Sequence, residues 1–174
     1  CSTYEVSEER LRQRGTAAHN TVLVDNEDSS EVWSSFRVAR RGRPVEVAAS
    51  LVEGDIRISG GHDGYMRLKG RVMHYREFYL TDGQLQITDE ITGQPQAAAA
   101  NVLLHPDVTV SSAGDGFELA RGNHGASLFF DGGKAEVVEA TWHPEFGLSI
   151  PTHRISVTMS GETLVSTLSW ETSS

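Results

Sequence analysis

The sequence predicts an all-β protein, a two-layer antiparallel β-sandwich built from short strands. Three observations carry that prediction. Short β-branched or aromatic runs recur between Gly, Asp and Ser clusters along most of the chain. Several of those clusters, Thr81-Asp82-Gly83 above all, have hairpin chemistry. No stretch shows a convincing amphipathic period of 3.6 residues, so no helical layer is available to cover a sheet.

Taken in order, residues 4–14 form a helical turn or a loop of strongly mixed charge. Thr21–Asp25 is the first clear strand, and Asn26–Ser30 is a turn by composition. Glu31–Ala39 carries Val32, Trp33, Phe36 and Val38 and reads as extended. A basic turn, Arg40–Pro44, leads to Val45–Leu51, and Glu53-Gly54-Asp55 turns into Ile56-Arg57-Ile58. The stretch Gly60-Gly61-His62-Asp63-Gly64-Tyr65 is the most irregular, its glycines allowing close backbone approach. A long strand over Met66–Leu80 would place Arg67, Lys69 and Arg71 on one face, and Gln84–Ile91 returns from it. Ala97–His105 is assigned as strand despite its alanines. Val108–Val110, Gly116–Arg121, Ala126–Phe130, Ala135–His143, Arg154–Met159 and Leu164–Trp170 complete a meander, with hairpin turns expected at Asp131–Gly133 and Ser160–Glu162.

A length of 174 residues suits a single domain, residues 1–174, with room for a sizeable core. Hydrophobic residues make up 38% and charged residues 22%, which is too apolar for a disordered chain. No apolar run approaches the ~20 residues of a membrane span. The first ten residues are polar and show no signal peptide. The chain does not open with Met, so a piece of a longer protein is expected. The single Cys1 excludes an internal disulfide. Net charge is −9, divided into +1 over residues 1–76 and −10 over residues 77–174. So acidic a chain argues against nucleic acid as partner, whereas the asymmetry can steer a charged ligand toward one region.

Candidate chemistry begins with Arg12-Gln13-Arg14-Gly15-Thr16-Ala17-Ala18-His19-Asn20-Thr21-Val22, where His19 and Asn20 stand at the mouth of the first strand. There they are held by a rigid element yet lie near its open end. Seven histidines invite a metal, but none has the HExxH spacing and no CxxC exists. Tyr65 and His62 within GGHDGY form a candidate acid–base pair for proton abstraction; the plainer role for Tyr65 is packing at a sheet edge. Arg12, Arg14, Arg37, Arg40, Arg41 and Arg43 form a basic set suited to carboxylates or sulfates, since guanidinium forks match those groups bidentately, and Arg12, Arg14, Arg41 and Arg43 with Asn20 are the candidate substrate-binding residues. The same arginines also have Glu8, Glu9, Glu27, Asp28 and Glu31 nearby in sequence as partners.

The segments STYE, RGTAAHNTVLVDNEDSSEVW and FRVARRGRP, followed by GGHDGYMRLKGRVMHYR, resemble the later part of heparinase II/III-like polysaccharide lyases. The resemblance is clear over about residues 2–110. It implies a supersandwich-like β-domain preceded by a helical toroid, with uronic-acid polysaccharide cleaved by β-elimination in the cleft between them. It also implies a zinc in several members, with His19 as one ligand. The remaining ligands and the toroid would lie upstream of Cys1, so full zinc coordination within this chain is not expected, and the isolated chain is expected to be inactive. The expected partners are an acidic polysaccharide and the parent's toroid domain. The expected compartment of the parent is the periplasm or the exterior. An interdomain face left uncovered is expected around Trp33, Phe36 and Ala17-Ala18, with a homodimer through it as a consequence of truncation. The alternative is a non-catalytic carbohydrate-binding or scaffold domain. A cupin-like metalloenzyme would instead need three of the histidines to converge inside one barrel.

Overall fold

The computed structural model describes residues 3–34 and 36–171, so Cys1 lies outside the described residues. Two antiparallel sheets pack face to face. The smaller is made of β1 (Val22–Val24), β6 (Ala98–Leu103), β11 (Ile150–Met159) and β10 (Gly133–Trp142), in that order. The larger runs β2 (Pro44–Val52), β3 (Asp55–His62), β4 (Met73–Thr81), β5 (Gln84–Thr92), β12 (Thr163–Trp170), β9 (His124–Asp131), β8 (Gly116–Arg121) and β7 (Thr109–Ala113). The all-β sandwich expected from strand periodicity is therefore the observed architecture, and the sheets remain open rather than closing into a cupin-like barrel.

The core lies where the four-stranded sheet covers the wider one. Val22, Val24, Ala100, Ile155 and Val157 face Ile91, Leu164, Leu128, Phe130 and Phe117. Because side chains alternate across a strand, the even-numbered partners of Ile155 and Val157, Arg154 and Ser156, leave on the opposite face of the small sheet. The wing formed by β2 and β3 extends past this cover. Val47 and Leu51 there are 70% and 72% exposed, and Ile56 and Ile58 are also exposed.

Several turns behave as their residues require. Glu53 and Gly54 both have positive φ, 53° and 95°, as a tight hairpin joining β2 to β3 demands. Gly83 (φ 80°) closes the β4–β5 hairpin. Asp131–Gly133 and Ser160–Glu162 are corrections: they do not close hairpins but carry the chain between sheets, from β9 to β10 and from β11 to β12. Gly132 is needed there, since its φ is 97° and a Cβ would lie 2.3 Å from the Thr163 carbonyl oxygen.

One open reading is resolved, the helical alternative for residues 4–14, and two others change. Residues Glu8–Arg14 form a helix, α1. Ser7 caps it by accepting the Arg10 N–H, Glu8 and Glu9 sit in its first turn, and Arg12 and Arg14 sit in its last. The expected strand over Glu31–Ala39 is instead a short looped-back segment, with one isolated bridge between Val32 and Val38 and the Trp33 N–H donating to the Arg37 carbonyl. Its arms are too short to build a ladder. The long strand expected from Met66 begins only at Met73, because residues 63–72 wind through successive turns. Gly70 passes so close to the Gln94 carbonyl that a Cβ would lie 2.2 Å from it, and Arg71 has φ 49°. Arg67, Lys69 and Arg71 consequently share no strand face. Arg67 turns inward to the carbonyls of Gly64 and Asp28.

Candidate functional site

The α1 helix and the single 3₁₀ turn after it, Thr16–Ala18, lie against the end of the small sheet and deliver His19 to the surface. Asp28 fixes this approach by accepting the Thr16 N–H at 2.6 Å, while Thr16 Oγ1 accepts the Ser29 N–H at 2.8 Å. Asn20 ties the mouth of β1 to β6, its Oδ1 accepting the Leu103 N–H at 2.8 Å, and stays exposed beside His19. His19 is exposed between two concavities. One, of about 230 Å³, is lined by Arg12, Leu103, Trp142, His143 and Arg154. The other, of about 290 Å³, is lined by Arg14, Thr21, Asp28 and Val32.

Of the basic set, the fold therefore brings Arg12 and Arg14 to His19. Arg12 pairs with Glu9 at 2.7 Å and donates to Thr141 Oγ1 at 2.6 Å. The hydrogen bonds from Arg12 and then Gln13 hold the Glu9 carboxyl down to about 2. Arg14 donates to the Ser34 carbonyl at 2.7 Å. Arg41 and Arg43 are exposed on the connection into β2 and line neither concavity. Two cleft residues escaped the sequence reading. Trp142 packs its ring against His105, centroids 4.5 Å apart and planes tilted by 56°, and Arg154 enters from the middle of β11.

His62 and Tyr65 do come together, with ring centroids 5.4 Å apart. Tyr65 is fully buried, however, and its hydroxyl donates to the Val22 carbonyl at 2.6 Å. Burial pushes its phenol well above the usual tyrosine range. Tyr65 thus pins β1 from beneath, and removing a substrate proton would require that bond to break. His62 ends a buried chain of polar groups. The Gly64 N–H donates to His62 Nδ1 at 3.2 Å, which leaves the His62 proton on Nε2, 3.2 Å from His74 Nδ1. His74 Nε2–H then donates to Asp89 Oδ1 at 2.6 Å. Arg76 grips both oxygens of Asp89, at 2.7 and 2.9 Å, and donates to the Asn20 carbonyl at 2.7 Å. Burial would raise the Asp89 carboxyl, but the hydrogen bonds from His74 and Arg76 outweigh it and hold the group ionised below its usual value. Burial, with His74 beside it, lowers His62 to about 4. The chain therefore acts as a strut: it links β3, β4 and β5 to the backbone that presents His19.

Among the described residues, no group of three or more His, Cys, Asp or Glu side chains converges as a metal site. His19 offers one donor, and a structural zinc requires four. A zinc at this position would take its other ligands from outside the described residues. Among the described residues no helix is long and apolar enough to cross a membrane.

No curated protein matches the chain. Among solved structures it is similar to a heparinase III with methylated lysines, at TM-score 0.74 and 17% identity, over 98% of this chain and 26% of that one. It is also similar to heparan sulfate lyase HepC from Pedobacter heparinus, at TM-score 0.71 and 13% identity, over 99% of this chain and 28% of that one. At these identities the likeness shows the fold, and the chain spans about a quarter of each structure's length. Residues 1–171 match the model described as heparinase II/III-like, C-terminal, and the chain belongs to that family.

Proposed function

We propose that this chain is the β-sandwich part of a lyase that cleaves uronic-acid polysaccharides by β-elimination. In this reading it supplies one wall of the substrate cleft to an upstream helical domain and is inactive alone. The observation that carries the proposal is the arrangement at the mouth of β1, where His19 stands exposed between concavities bearing Arg12, Arg14, Trp142 and Arg154. Cations there offset the carboxylates of an acidic glycan, and an indole offers a sugar ring an apolar face. The strut from Arg76 to the Asn20 carbonyl supports the reading, since a binding side chain is useful only when its backbone is held. In the parent, His19 serves as one zinc ligand, and the parent works in the periplasm or outside the cell.

The test compares the isolated chain with its complete parent, following the ultraviolet absorbance of the unsaturated uronate that β-elimination creates. The parent turns over alginate, heparan sulfate or a related glycan, the isolated chain does not, and His19→Ala in the parent lowers both zinc content and rate. Turnover by the isolated chain would overturn its inactivity. Unchanged zinc and rate in the variant would favour the glycan-holding or scaffold role. One feature favours that second role: a trough of about 980 Å³ between the sheets, bordered by His105, His124, Arg121 and Trp170.

A further inference from the structure

We propose that Arg154 is the carboxylate-holding residue of the His19 cleft, taking the acid group of a bound uronate; the inference rests on the glycan-binding reading above. Residues 77–174 hold only three basic side chains, Arg121, Lys134 and Arg154, among 13 acidic ones. Arg121 has found a partner in Asp107 at 3.2 Å. Arg154 has no carboxylate within ion-pairing distance among the described residues, although acids outnumber it heavily around the chain. Its cross-strand neighbours explain why: Leu103 on β6 and Val138 on β10 offer it nothing.

The guanidinium is nonetheless fixed. Its Nη1 donates to the Ala17 carbonyl at 2.7 Å, two residues before His19. Its Nε is sheltered from solvent and has no acceptor, the only such side-chain atom found among the described residues. A sheltered N–H without an acceptor is costly to keep. The unused edge of the fork, Nε with Nη2, receives a carboxylate side-on with two parallel hydrogen bonds once the ligand displaces the groups that now screen Nε. Arg12 cannot take this part so readily, because Glu9 already neutralises it. Arg154, Trp142 and His19 border the same concavity. A sugar ring resting on the indole would thus carry its acid group to the one uncompensated cation there. This separates the roles of the cleft residues: Trp142 reads the ring, and Arg154 reads the acid.

The test uses the 174-residue chain and two probes, a tetramannuronate and the same oligosaccharide with its carboxyls reduced to alcohols. Affinity is measured by calorimetry, and the Arg154 Nε–H resonance is followed by NMR. The wild type is expected to bind the acid form at least tenfold more tightly than the reduced form, with a shift of the Arg154 resonance. R154Q should lose that preference, and R154K, which keeps the charge but not the fork, should retain part of it. The NMR readout keeps the test valid if R154Q loosens the Ala17 contact. Equal binding of both probes, an unmoved Arg154 resonance or unchanged binding by R154Q would overturn the inference and leave glycan binding standing. No binding of either probe by the wild type would overturn the inference and count against glycan binding by this wall of the cleft alone.

Discussion

Protonating His62 should destabilise the protein as the pH falls from 7 to 5. Its imidazole titrates near 6.5 in an unfolded chain but at about 4 in the folded one, because burial disfavours the charge. Between these values the unfolded state binds more protons, so stability is full above the unfolded value and falls as pH drops toward the folded one. Lowering the pH from 7 to 5 with these two values costs about 2 kcal/mol, and partial access of the ring to water trims the expectation to about 1–2 kcal/mol. Glu9 and Asp89, both held below the usual carboxylate range, lose their contributions only at more acidic pH. The assay is urea unfolding at pH 7 and pH 5 for the wild type and for His62→Gln. Glutamine can accept from the Gly64 N–H and donate to His74 as the present tautomer does, but it cannot take a proton. The variant should lose about 1–2 kcal/mol of the pH-dependent difference while keeping a similar m-value. An identical pH response in both proteins, or an NMR titration of His62 near its unfolded value, would refute the tautomer chain and the burial argument together.

Other outcomes follow from the same geometry. Asp89→Ala should lower stability by about 3–5 kcal/mol in urea unfolding, because it strands Arg76 and His74 around a vacated buried site. Tyr65→Phe should cost about 1–2 kcal/mol by orphaning the Val22 carbonyl, while the parent keeps turnover within a fewfold; a collapse of rate in a folded variant would restore Tyr65 as a proton-transfer residue. Gly64→Ala should destabilise the chain, since its Cβ would lie 2.2 Å from the Ser29 carbonyl oxygen. Its effect is read as a lowered thermal midpoint together with a changed His62 NMR signal. In the parent, Trp142→Ala should raise KM more than it lowers kcat, which steady-state kinetics at fixed pH would show.

The sandwich was legible because strand alternation and turn chemistry are local, and both survive into the folded chain. Which turns join neighbours and which change sheets was not legible. Asp131-Gly132-Gly133 and Thr81-Asp82-Gly83 look alike as residues, but only the tertiary fold sends β10 to the other sheet. The choice between a helical turn and a loop over residues 4–14 was left open, because α1 is too short to show an apolar stripe. At the site, His19 was visible through its position before β1. The Arg76–Asp89 pair could have been found, since the tight turn at Asp82-Gly83 sets the register that places the two opposite each other. Arg154 had no such signal: a lone arginine in a strand of mixed polarity becomes informative only once the surrounding acids prove out of reach.

The last strand, β12, is inserted between β5 and β9, pairing Leu164 with Asp89 on one side and Ser166 with Phe130 on the other. Until it is in place, β2–β5 and β7–β9 have no ladder between them. The wide sheet therefore cannot close until Thr163–Trp170 has been synthesised and inserted. A stop codon just after Gly161 would leave two half-sheets with raw inner margins, a state prone to clump rather than a slightly weaker version of the same protein.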